Sequence, residues 1–95
     1  MVREIAVSRT HEGQAEAFVE AYGGVANILA DAEGSGGASL HRGVEDPDSF
    51  TLIVEWDSVE AHTALTQKPE FGSFGEAIRP HLAGQPEVRH VETVA

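Results

Sequence analysis

The 95 residues make one domain, spanning 1–95, and a chain this small buries only about 60–65% of its surface, so its core is modest. Sixteen acids against six bases, a formal charge of -10, disfavour nucleic acid and anionic membrane surfaces, whose binders depend on Lys and Arg. The absence of cysteine removes disulfides, thiolate nucleophiles and cysteine metal sites, no apolar run approaches the roughly 20 residues of a membrane span, and Met1-Val2-Arg3-Glu4-Ile5 lacks the pattern of a secretory signal, so a cytoplasmic location is expected.

Val2 to Thr10 alternates as a strand, with Arg3, Ile5, Val7 and Arg9 on one face and Ala6 and Ser8 on the other. His11-Glu12-Gly13 breaks it. A helix is predicted from about Glu12 to Glu33, because Phe18, Tyr22, Val25 and Leu29 recur at helical spacing. Gly23-Gly24 in its middle costs roughly 1 kcal/mol per glycine relative to alanine, and is expected to mark close packing against a sheet, or else a kink. Gly34 to Gly37 ends the helix. Ala38 to Glu45 reads as a second strand.

The stretch from Glu45 to His62 carries the strongest local signals. Asp46-Pro47-Asp48-Ser49 is a turn. Phe50, Leu52, Val54 and Trp56 then alternate with Thr51, Ile53 and Glu55 as a third strand, making a hairpin with the second. Ser58 sits where a helix N-cap belongs. A second helical region runs from Ser58 to about Leu82, bent or broken near Lys68-Pro69, with Phe71, Phe74 and Ile78 at helical spacing. After Gly84-Gln85-Pro86, Val88 to Val94 forms the last strand, with Val88, His90, Glu92 and Val94 on one face. We assign His90 and Glu92 to a subunit interface.

The order β-α-β-β-α-β is that of a ferredoxin-like α+β sandwich, with two helices on one face of an antiparallel sheet. Leu52, Val54 and Trp56 lie on one face of the third strand and Ile53 on the other, more than two helices can cover. A homodimer joined through its sheets is therefore expected.

The only tryptophan ends a strand and His62 lies one turn into the next helix, so the two side chains can share a pocket. The Trp56 indole can stack on a planar ring and donate a hydrogen bond, or it closes the core. His62 can act as a general base, or it bonds a neighbouring carbonyl or Glu. Arg42 and Arg79 can hold a phenolate or carboxylate, or pair with surface acids. Phe18, Tyr22, Phe71 and Phe74 form core, and the apolar wall of any cavity. His41, His62, His81 and His90 have no metal-binding spacing, and Gly34 to Gly37 follows a helix, unlike a nucleotide-binding loop. No metal and no cofactor are expected.

Glu45 to Phe50, Val54 to His62, the Phe71/Phe74 pair, Ile78-Arg79-Pro80 and Val88 to Glu92 together resemble the antibiotic biosynthesis monooxygenase family of small dimeric α+β barrel proteins, over almost the whole chain. The resemblance implies a cofactor-independent monooxygenase or quinol oxidase acting on an aromatic, polyketide-like or quinol, small molecule with O₂. In that reading Trp56 and His62 are catalytic, and Tyr22, Phe18, Phe71, Phe74 and Arg42 bind substrate. The alternatives are a non-catalytic dimeric binding or accessory protein, or an isomerase or cyclase. The haem-degrading relatives need an asparagine, a tryptophan and a histidine where Ser8, Leu65 and Gly75 stand, so haem degradation is set aside. Asn27, the only asparagine, lies late in the first helix, away from the strand-helix junction where some quinone-forming relatives use one.

Overall fold

All residues, 1–95, are described by the structure, a computed structural model. The elements are β1 (Val2–Arg9), α1 (Ala15–Ala30), β2 (Ser35–Arg42), β3 (Ser49–Trp56), α2 (Val59–Thr66), α3 (Pro69–Ile78), a 3₁₀ turn (Arg79–His81) and β4 (Glu87–Val91). The four strands are antiparallel in the order β2-β3-β1-β4. This is the ferredoxin-like βαββαβ arrangement, with the second helical region divided in two.

Local chemistry accounts for the element ends. Gly13, at φ 81°, closes a turn in which Gln14 N–H donates to the His11 carbonyl, so α1 starts at Ala15 and not at Glu12. α1 is unbroken through Gly23-Gly24, and a Cβ on either glycine would meet nothing within 4 Å. Both are exposed. The expected packing of this pair against the sheet is therefore wrong. Tyr22 and Leu29 face the sheet, and a rotation of about 100° per residue carries the two glycines away from it.

β2 begins at Ser35, three residues before the expected start, and ends at Arg42. Pairing with β3 draws the glycines into the ladder through an irregularity between Ser35 and Gly37, an instance of pairing overriding intrinsic propensity. Gly34 is required where it stands. Its φ is 84°, and a Cβ there would lie 2.7 Å from that of Ala61 on α2. The Ser58 hydroxyl caps α2 by accepting from the Ala61 N–H at 3.2 Å. Pro69 stops that helix and opens α3.

β1 turns Glu4 and Ala6 toward the helices, where both are buried, and leaves Arg3, Val7 and Arg9 exposed on the other face. On β3, Phe50, Val54 and Trp56 are buried on the helix side. Each such aromatic contributes roughly 2–3 kcal/mol of gross hydrophobic stabilisation. β4 is shorter than expected, ending at Val91. Its register sets His90 opposite Glu4 and Val88 opposite Ala6, on the helix-covered side. His90 thus does not belong to the open face of the sheet, as its assignment to an interface there would need.

The core is in two parts. One gathers Tyr22, Leu29, Val54, Trp56, Leu65 and Phe74, and the other Ala15, Phe18, Phe50 and Leu82. The space between them becomes the functional site.

Candidate functional site

A cavity of about 600 Å³ lies between the sheet and the helices, with members of both core clusters in its wall. Phe18 meets Phe50 edge-on at 4.9 Å between ring centres, and Tyr22 meets Phe74 at 6.3 Å. These rings, with Phe71, Leu29 and Ile78, give a mostly apolar lining of the kind that holds small organic ligands. The polar exceptions are few: Glu4 and Ser8 on β1, Tyr22 on α1, Arg79 at the end of α3, and Gln85 in the loop before β4. Burial raises the Tyr22 phenol above its ordinary range, so its O–H remains a donor at neutral pH.

Glu4 is the unusual member. Its side chain is 7% exposed, and it is the centre of a cluster contributed by four elements. The Trp56 indole N–H donates to Glu4 Oε1 at 3.0 Å. His62 Nε2 lies 3.3 Å from the same oxygen. The imidazole of His62 stacks on the indole, with ring centres 5.4 Å apart and planes 12° from parallel. His62 Nδ1 in turn lies 2.8 Å from His90 Nε2. The two contacts made to Glu4 itself both fall on Oε1, and Glu4 is among the residues that line the cavity. Burial holds His62 below the ordinary histidine range, while Glu4 raises it and His90 lowers it further.

The site residues named from sequence divide into three groups. Phe18, Tyr22, Phe71 and Phe74 line the cavity. Trp56 and His62 do meet each other, as their spacing implied, but neither is in the lining. Trp56 is wholly buried, packed in one cluster with the lining residues Tyr22, Leu29 and Phe74 and bonded to Glu4. Arg42 is absent from the lining too. Its guanidinium donates to the Pro47 carbonyl at 2.7 Å and to Glu16 at 3.1 Å, and lies over the Phe50 ring. That is the surface pairing weighed above as its other role. Arg79, named beside Arg42, is the arginine in the cavity wall, packed over Gly75. Glu4 was not singled out. The signal available was an acid on the same strand face as Ala6 and Ser8. No three His, Asp or Glu side chains are arranged to hold a metal ion.

The profile of the antibiotic biosynthesis monooxygenase family matches residues 1–77. The uncharacterized protein YczJ of Bacillus subtilis is 28% identical over 95 residues, 99% of this chain and 100% of that protein. A Halobacterium salinarum protein provisionally named as heme-binding is 35% identical over 74 residues, 78% of this chain but 15% of its own length. A provisional antibiotic biosynthesis monooxygenase from Bordetella bronchiseptica has a similar structure, with TM-score 0.95 and 27% identity over 99% of this chain and 97% of that one. SnoaB, a cofactor-independent oxygenase from Streptomyces nogalater, has TM-score 0.83 at 20% identity, covering 97% of this chain and 91% of its own, a likeness of fold.

The indole N–H is a donor that a buried carboxylate cannot replace from water. Trp56→Phe removes it while keeping an aromatic ring, and is expected to cost about 1–3 kcal/mol in urea unfolding. A loss below about 0.5 kcal/mol would mean that the bond to Glu4 contributes little to holding the cluster.

Proposed function

This chain belongs to the antibiotic biosynthesis monooxygenase family, and we propose from that premise that it is a cofactor-independent monooxygenase or quinol oxidase of an aromatic, polyketide-like or quinol, small molecule. The observation that carries the reading is a buried carboxylate, Glu4, with its polar contacts on Oε1 alone, in the wall of a mostly apolar, aromatic-lined cavity. Such a group is suited to take a proton from a bound phenol or from the activated methylene of an anthrone. The oxygenase SnoaB, which shares the fold, lends the reading support.

The chemistry needs no electron carrier, because the substrate is the reductant. Glu4 takes a proton from the substrate methylene and leaves a carbanion delocalised over the rings. The carbanion passes an electron to O₂, and the radical pair joins through a new C–O bond. The resulting peroxide anion takes back the proton. The carbon then loses its second hydrogen as a proton, the O–O bond breaks, and that proton leaves with the departing hydroxide as water, giving the C=O of the product. Overall CH₂ and O₂ become C=O and H₂O. The aromatic wall orients the rings and excludes water, so the anion is formed in a medium that favours electron transfer over reprotonation. Trp56 and His62 serve by holding Glu4 from behind, and Tyr22 and Arg79 are placed in the wall to receive charge on a substrate oxygen.

A non-catalytic binding protein is the second reading. It is favoured by the placement of Trp56 and His62 behind the lining, out of direct reach of a ligand. The two readings separate on oxygen uptake. Purified protein is expected to consume O₂ with an anthrone or hydroquinone, and Glu4→Gln to slow it by roughly 10²-fold or more. Binding of the same compounds without uptake, across a panel, would favour the binding protein.

We further propose that the chain works as a homodimer joined through the open sheet face. Ile5, Val7, Ile53 and Val91 share that face, and Val7 and Val91 are 37% and 42% exposed in the single chain. Sedimentation is expected to give a dimer, and Ile53→Glu a monomer. A stable wild-type monomer would contradict it.

A further inference from the structure

The contacts around Glu4 run in one direction, and that direction assigns a task to His90. Oε1 already receives the Trp56 N–H. As a carboxylate it only accepts, and His62 Nε2 lies 3.3 Å from it; the Nε2–H tautomer is the one that suits this contact, since a bare lone pair there would be repelled. A neutral imidazole has one N–H, and Nδ1 is then the acceptor. His90 Nε2, at 2.8 Å, is accordingly the donor. His90 sits on an edge strand and is half-buried, whereas the His62 side chain is only 12% exposed.

We propose that His90 is a positioning residue: by donating its Nε2–H to His62 Nδ1 it keeps His62 neutral with its own Nε2–H toward Glu4, and so leaves Glu4 a free carboxylate facing the cavity. The inference rests on the reading of Glu4 as the group that takes the substrate proton. Its physical content is separate. An occupied Nδ1 lone pair cannot take a proton from solvent unless the bond from His90 breaks or reverses. Without His90 the lone pair is open, and an imidazolium beside Glu4 becomes accessible at a higher pH. That cation would draw the carboxylate into a closed ion pair and weaken it as a base.

The titratable groups in contact with His62 are Glu4 on β1 and His90 on β4, and the ring of Trp56 on β3 covers one of its faces. Burial lowers the His62 pKa most, and the charge that His90 can carry lowers it further. Glu4 acts in the opposite sense, which is why an occupied Nδ1 matters.

Two measurements test this, and neither requires turnover. Nitrogen-15 NMR of the wild-type rings at neutral pH is expected to show His62 as the Nε2–H tautomer. An Nδ1–H tautomer overturns the proposal. Trp56 is the only tryptophan, and a protonated ring stacked on it quenches its emission. In a pH titration of that emission, His90→Ala is expected to move the midpoint upward by about one unit. His90→Gln, whose amide N–H can still donate to Nδ1, is expected to stay at the wild-type midpoint. No shift with alanine, or equal shifts with both, overturns the proposal. Where an anthrone or quinol is turned over, the acid limb of kcat/KM moves with the same midpoint. Absence of turnover in every variant counts against the oxygenase reading and leaves the two spectroscopic results to decide this one.

Discussion

A carboxylate cannot sit in an apolar interior without donors, and Glu4 organises the molecule around that constraint. The effective penalty for an unpartnered buried ion is several kcal/mol, comparable to much of the stability of a small domain. Four elements answer it. β3 ends in an indole N–H, α2 contributes His62 one turn after its serine cap, β4 brings His90 opposite Glu4 in register, and β1 carries the acid itself. Trp56 and His62 both meet Oε1, and His90 meets His62 from behind.

The cavity explains features of the core that would otherwise look like poor packing. A 95-residue chain would be expected to fill the space between its sheet and its helices, yet members of both of its buried clusters stand in the wall of a cavity of about 600 Å³. Aromatic rings can wall such a space because their contacts run edge to face around it. Small side chains on the inner face of β1, Ala6 and Ser8, keep the floor open. The apolar residues of that strand, Ile5 and Val7, point instead to the open face, where a second copy of the chain is proposed to cover them.

What could be read from the sequence was what is local. The Asp-Pro-Asp-Ser turn, the alternation from Phe50 to Trp56, the cap at Ser58 and the break at Pro69 depend on neighbours a few residues apart, and all appear in the structure. The meeting of Trp56 with His62 was legible for the same reason, since a strand end and a first helical turn lie close whatever surrounds them. The early start of β2 was not, because glycines enter that strand only through pairing with β3. Nor was the role of Glu4. Hydrophobicity alone marks Ile5 and Val7 as the covered residues of β1, and only the cavity reverses the sense of that pattern. Arg42 shows the same limit: its acid, Glu16, lies on another element 26 residues away.

The most direct measurement is a crystal structure with a quinol or anthrone-like phenol soaked into the protein. The account predicts the ring among Phe18, Tyr22 and Phe74, with its hydroxyl within about 2.5–3.0 Å of Glu4 Oε2 and the Trp56 and His62 contacts to Oε1 intact. A ligand bound elsewhere, or lodged in the cavity with its hydroxyl turned away from Glu4, would contradict it.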